Sequence, residues 1–241
     1  MSKKLKLFLG ISYLLILFAF LYFIFLKIEI SRLNDFSYYK ELQAGVDIFI
    51  GENLYINLLI FFTFSVIWVV LLGFGSPILI TAGILFGKWI GTLVAVTSLS
   101  LGALLLYTIA NFFFIDLVNK LLEKKFSSYI ELFKKNEFFY FFIFRVTGGL
   151  GIPFALQNVL PIIFNIKKMN YFFASFLGFI PGMFIIVSVG SGLNKFIKES
   201  DNFSFVNLIV NKEIYLPIII FIIFIIISGI IKKKFFNVRN K

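Results

Sequence analysis

The sequence predicts an all-α integral membrane protein: four transmembrane helices plus two opposed re-entrant helical hairpins that form an inverted repeat. Three observations predict it. Hydrophobic residues make up 60% of the chain and aromatic ones 20%, with mean hydropathy +1.00, far above an ordinary soluble domain. The segment "GFGSP" (73–77) is answered by "GLGIP" (149–153). A slide of 76 positions superposes Gly73, Gly75, Pro77 and Gly102 on Gly149, Gly151, Pro153 and Gly178, which points to an internal duplication. Finally, lysines gather in a few segments that only one threading through the bilayer leaves on a single side.

The elements follow in order. Residues 5–26, behind Lys3, Lys4 and Lys6, are long enough to span about 30 Å of hydrocarbon and read as an uncleaved first transmembrane helix. Residues 27–53 turn polar and acidic, and Phe36, Tyr39, Leu42, Val46 and Phe49 recur at helical spacing. They form either an interfacial helix or a helix packed on the protein. Residues 54–115 hold no acid and one base, Lys88; a second acid-free stretch covers 138–194. Between them, residues 116–137 bring five lysines and an apolar stripe that includes Ile130 and Phe133, the pattern of an amphipathic surface helix. The last span is 214–231, followed by Lys232, Lys233, Lys234, Arg239 and Lys241. The organisation is therefore 1–53, a first span and acidic segment; 54–194, the duplicated core; and 195–241, an outer loop, last span and basic tail.

Charge decides the topology. With each G-x-G-x-P as a hairpin tip, 58–72 descend partway, 78–88 return to the same face, and 90–115 cross. The second hairpin, 138–165, enters from the other side and returns to Lys167 and Lys168. Residues 169–191 then cross outward, 192–213 lie outside, and the last span brings the basic tail back. Every lysine-rich segment then falls inside, with both termini cytoplasmic, as expected in a bacterial inner membrane. Treating 54–73 as a full span would instead place 116–137 and the tail outside. Broken helices meeting near the midplane are the architecture of many secondary transporters.

The composition narrows the chemistry. The chain has no cysteine and no histidine, so thiolate nucleophiles, Cys metal sites and the commonest general base are missing, and neither an enzyme nor a cofactor is expected. The net charge of +11 is dispersed at the ends of apolar runs, which argues for membrane topology and against nucleic acid.

The candidate site is the second tip. Irregular backbone at membrane depth must be buried in protein or line a wet cleft. Glycines 149 and 151 admit positive φ and expose amides, and Pro153 suits the first turn of the returning half-helix. Arg145 brings a guanidinium shaped for a phosphate or carboxylate. It is expected to contact an anion, the alternative being to snorkel or to staple the hairpin through carbonyls. Gln157 and Asn158 follow on the returning arm, to bind a headgroup or to brace the break. Lys88 is expected to snorkel at the outer interface, and Trp68 and Trp89 to pack or to form a belt.

The stretches "PILITAGILFGKWIGTLVA" (77–95), "FRVTGGLGIPFALQN" (144–158) and "GFIPGMFIIVSVG" (178–190) resemble the DedA family. It is also called the SNARE-associated Golgi protein or VTT domain family, and the resemblance covers roughly residues 54–194. It implies two opposed re-entrant hairpins and lipid handling: phospholipid scrambling in eukaryotic relatives; undecaprenyl phosphate recycling, envelope integrity and proton-linked transport in bacterial ones. Residue by residue, it carries the family's arginine to Arg145, its Pro-Phe to Pro153 and Phe154, its amide to Asn158, and its second-repeat helix end to Gly178, Pro181 and Gly190. Where relatives have a proline soon after the arginine, this chain has Gly148 and Gly149. A glycine after the asparagine is replaced by the Pro161–Ile162 region, and the first hairpin lacks the membrane acids that couple protons in some relatives.

Three functions are consistent with these features. The first is a lipid translocator whose partners are membrane lipids with anionic phosphate headgroups. The second is an ion- or proton-coupled solute transporter using the same cleft. The third is a membrane scaffold acting through the 116–137 helix and the tail. Homo-oligomerisation stays open.

Overall fold

The computed structural model describes residues 35–122, 127–200 and 204–236, with Ser12, Leu15, Phe18 and Tyr22 ahead of them. The first span expected over 5–26, apart from those four positions, lies outside the described residues, as do 123–126 and the tail from 237 on. All regular structure among the described residues is helical: α1 Phe36–Glu52, α2 Leu54–Val70, α3 Gly75–Leu122, α4 Ser127–Lys135, α5 Glu137–Val146, α6 Phe154–Val159, α7 Lys168–Glu199, α8 Phe205–Val210 and α9 Lys212–Phe236. Two 3₁₀ segments, Gly148–Gly151 and Leu160–Phe164, flank α6. Among the described residues three helices are long and apolar enough to cross a membrane: Gly75–Phe113, Lys168–Glu199 and Lys212–Phe236. The chain is an integral membrane protein.

The duplication is visible in the backbone. Asn53 and Asn136 cap α2 and α5 through their side-chain oxygens, with matching backbone angles (φ −159°, ψ 88° and φ −160°, ψ 88°), each satisfying an amide the first helical turn leaves free. The two arms also end alike, at Leu71 (φ −82°, ψ 19°) and Thr147 (φ −80°, ψ 16°). Past these points the chain breaks, at Leu72 (φ 61°) in the first unit and at Gly148 to Gly151, all with positive φ, in the second. It then re-forms helix, at 75 onward and 154 onward.

Gly87 interrupts α3 with φ 71° and ψ 178°, a conformation essentially restricted to glycine. Residues 75–86 and 88–122 are thus two helical stretches that meet at Gly87. At about 1.5 Å per residue, 88–113 alone covers the hydrocarbon thickness. In the second unit Asn165 turns left-handed (φ 46°) before α7 begins.

The long helices run antiparallel. Ile80 and Gly83 lie against Gly190 and Val187, whereas at the other end Tyr107 stacks on Tyr171 with ring centroids 4.4 Å apart and donates to the Ile166 carbonyl at 2.8 Å. Glycines 83 and 190 let the backbones approach, because a Cβ at either would collide with main-chain atoms opposite, the small-residue packing common between membrane helices.

The spacing of 76 holds in three dimensions. Gly102 packs on Val66 and Val69, and Gly178 packs on Phe142 and Arg145, so each pair of contacts maps onto the other. Gly178, Pro181 and Gly190, expected at a helix end, lie instead inside α7. Gly178 serves the hairpin by giving its descending arm room.

Other boundaries also differ. The crossing helix runs on to Leu122, so the expected surface helix 116–137 is shared between the end of α3 and the separate α4. Within α4, Phe133 is buried on Phe164, with centroids 4.0 Å apart. The expected outer loop is largely helical, through the end of α7 and through α8. Helix α1 packs on the protein through Tyr38 and the Phe36–Phe196 pair while leaving Leu42 and Ile48 exposed.

Candidate functional site

Arg145 lies in the last turn of α5, beside the second tip, and is 2% exposed. The apolar run EFFYFFIFRV gives α5 no other charge between Glu137 and the arginine. The guanidinium is held by α7: Nε donates to Ser175 Oγ at 3.1 Å and Nη2 to Tyr171 Oη at 2.7 Å. Tyr171 Oη donates in turn to the Asn158 carbonyl at 3.0 Å, joining both arms of the hairpin to α7. Three rings enclose the head group, Phe179, Phe141 and Tyr171, at 4.6, 4.8 and 5.3 Å from Cζ.

Two features of this cage bear on its chemistry. Nη1 is buried with no hydrogen-bond partner among the described residues. The side chains that bind Nε and Nη2 are neutral hydroxyls, and no described carboxylate pairs with the charge. A desolvated cation in this state has part of its donor set unpaired and no counter-charge beyond the attraction of the three rings. The expected alternatives of snorkelling and of stapling through carbonyls are both replaced by hydroxyl and ring contacts.

Arg145 borders a cavity of about 220 Å³ where the two tips meet, lined also by Gly75, Ser76, Phe154, Gln157 and Phe179 and closed on one side by Phe221 and Phe224 of α9. Gly75 would bring a Cβ within 3.7 Å of the Phe154 ring and 3.8 Å of Leu99, so the first tip stands level with the middle of its own crossing helix.

The remaining residues divide by role. Gln157 Nε2 donates to the Gly148 and Ile152 carbonyls at 3.0 and 2.6 Å; it braces the tip, and a Cβ at Gly149 would strike its side chain. Asn158 is fully buried and off the cavity wall, its Oδ1 and Nδ2 without partners among the described residues. Gly151 is exposed and also off that wall. Pro153 precedes α6 as its N-cap, one residue ahead of the expected first turn. Helix α6 has only six residues, too few for the positive helix end expected at the tip.

The first tip is closed differently. Trp68 Nε1 donates to the Phe74 carbonyl at 2.8 Å, and the indole covers Gly73. Pro77 lies in the first turn of the return arm. At the positions equivalent to Arg145, Tyr171, Ser175 and Phe179 stand Val69, Ala95, Leu99 and Ala103, all fully buried. The cation cage is therefore built in one repeat, and its counterpart is an apolar plug.

The VTT domain family model matches residues 59–192, the span that contains both broken-helix units and the cage. The chain belongs to the VTT domain family. The match begins within α2 and ends near the close of α7, leaving α1, α8 and α9 outside. No solved structure matches the chain. Within this VTT domain, sequence reasoning missed Tyr171 and Ser175, the two hydroxyls that hold Arg145. Their signal was a polar face, Tyr171, Ser175 and Gly178, on one side of an otherwise apolar helix.

Proposed function

We propose that the protein is a lipid translocator that moves anionic, phosphate-bearing headgroups through the cleft between its two tips, without cofactor or chemical step. The buried guanidinium of Arg145, without a carboxylate partner among the described residues, carries this reading. A cation that neutral hydroxyls hold in place, with one nitrogen unpartnered beside a cavity, lacks an anion, and a phosphate oxygen supplies both the charge and the acceptor.

In this reading the hairpins are re-entrant and enter from opposite leaflets, and four helices cross. Several contacts support it. Glu137, at the start of α5, accepts from the Lys167 amide at 3.1 Å and from Asn170 Nδ2 at 2.6 Å, so the second hairpin begins and ends at one face. Its descending arm has 10 residues, about 15 Å of helix, roughly half the hydrocarbon thickness. Phe61 meets Phe86 at 5.3 Å, so the first hairpin also folds back on itself. Lysines 134, 135, 167, 168, 232, 233 and 234 share the end where α4, α5 and the close of α9 meet; the positive-inside rule makes that end, and the termini, cytoplasmic in a bacterial inner membrane.

The test is reconstitution in phosphatidylcholine liposomes with a trace of fluorescent phosphatidylglycerol, scored by quenching of outer-leaflet dye. Losing a charge-assisted contact in the cleft costs about 1.5–3 kcal/mol, so Arg145→Ala should slow the exchange by about tenfold to a hundredfold. Wild-type flipping by Arg145→Ala would remove the mechanism, and flipping that occurs only under an imposed pH gradient would favour the coupled transporter.

A further inference from the structure

The end of the molecule far from the basic cluster carries a second cavity that the Arg145 site does not use. It measures about 360 Å³ and lies between the Gly87 break of α3, the second half of α7 and the start of α9. Three lysines line it, one from each helix: Lys88, Lys195 and Lys212. Ser188, Ser191 and Glu213 complete its polar wall. Lysines are disfavoured at this end by the same charge bias that orients the chain, yet three side chains far apart in sequence converge on one space.

The charges do not cancel. Glu213 is engaged by Lys195 at 3.0 Å, and Lys88 and Lys212 also act on its carboxylate electrostatically. Neither Lys88 nor Lys212 forms an ion pair among the described residues. Lys195 lies in addition within reach of Glu199, and the nearby Lys198 is paired with Asp47 at 2.6 Å. With one of three cationic heads neutralised, the cavity is left with two.

The backbone builds this space. Gly192, having no Cβ, lets the Glu213 carbonyl lie against α7, which pins the start of α9 there. Gly87 breaks α3 one residue before Lys88, turning that lysine into the gap. The rest of the wall is apolar, while the lysine heads stand exposed, so their pull on an anion comes from convergence and is weakened by salt. The volume falls within the range of small-ligand sites.

We propose that this cavity is a second anion site, one that binds a phosphoryl group between Lys88 and Lys212. Free phosphate and a lipid headgroup share that chemistry. The site is separate from Arg145, so its test reads binding and not movement.

The full chain in phosphatidylcholine nanodiscs is titrated calorimetrically with inorganic phosphate and, separately, with dihexanoyl phosphatidic acid. Saturable binding is expected. The double variant Lys88→Gln, Lys212→Gln should weaken it by at least about tenfold, while Lys88→Arg, Lys212→Arg should retain it. Binding of both probes assigns the site to the phosphoryl group itself; binding of one names the source. No saturable binding of either probe, or undiminished binding in the glutamine pair, overturns the proposal. Both lysines are exposed, and an unchanged melting temperature confirms that the glutamine variant is folded; Lys88→Gln alone serves if the pair is not. Loss of this binding in the glutamine pair with flipping at the wild-type rate separates this site from the cleft.

Discussion

The twin glycines Gly102 and Gly178 offer a test in which one half of the molecule is the control for the other. Alanine at Gly178 places a methyl 2.5 Å from Arg145 Cβ and 3.1 Å from the Phe142 carbonyl oxygen. Carbon contacts are optimal near 3.5–4.0 Å, so α5 and α7 must part by about 1 Å. Overpacking of that kind costs about 1–3 kcal/mol, and replacing a helical glycine returns about 1 kcal/mol. The expected net is a destabilisation of about 0–2 kcal/mol. At Gly102 the methyl lies 2.8 Å from Val69 Cβ and 3.0 Å from the Val66 carbonyl oxygen, so the same balance applies and the stability loss should match. Function should not match. Parting α5 from α7 stretches the 3.1 Å bond from Arg145 to Ser175, and a misplacement of about 1 Å at a site can cost on the order of a hundredfold. Paired measurements of thermal unfolding in detergent and of flipping in liposomes check both halves. Equal flipping rates in Gly102→Ala and Gly178→Ala, with equal melting shifts, would refute the assignment of headgroup capture to the cation cage of the second repeat.

Tyr171→Phe removes the hydroxyl that accepts from Arg145 and donates to Asn158; it should destabilise the fold by about 1–3 kcal/mol and slow flipping, while Tyr107→Phe, which loses the bond to Ile166, should affect only stability. Trp68→Phe deletes the bond to the Phe74 carbonyl at the first tip, and a melting shift equivalent to about 1 kcal/mol is expected with flipping unchanged. Lys198 beside Asp47 holds that carboxyl below its ordinary value. The folded-state pKa is therefore lower than the unfolded one, so the pair stabilises above about pH 4 and its contribution disappears as pH falls through the depressed value. With the two side chains 43% and 53% exposed, screening limits the effect to a few tenths of a kcal/mol. The difference in melting temperature between wild type and Asp47→Asn should be small at pH 7 and absent in strong acid.

Much of the architecture was legible because membranes simplify the rules. Glycine and proline inside an acid-free apolar run have few permitted uses, and "GFGSP" and "GLGIP" do mark the breaks at residues 71–74 and 147–152. The duplication signal was also physical: Gly102 and Gly178 recur because each must admit a descending arm. What could not be read was long-range. Nothing local ties Arg145 to Tyr171 and Ser175, on a different helix, and hydroxyls in apolar helices usually bond back to their own backbone, as Ser65 does to Phe61. Gln157 was equally ambiguous, since only the folded tip brings the Gly148 and Ile152 carbonyls within its reach. Helix α6 fell short because Pro161, two residues beyond its end at Val159, hands the arm to a 3₁₀ segment.

The unequal furnishing of the two units has a consequence for the proposed passage. Had Val69 been a second arginine, two like charges would flank one narrow space, and a captured anion would be shared between them or held too tightly to leave. With a lone cation furnished by one unit, a headgroup migrating in the proposed way meets a single well. Loading from the two sides then differs in rate while the equilibrium distribution stays the same.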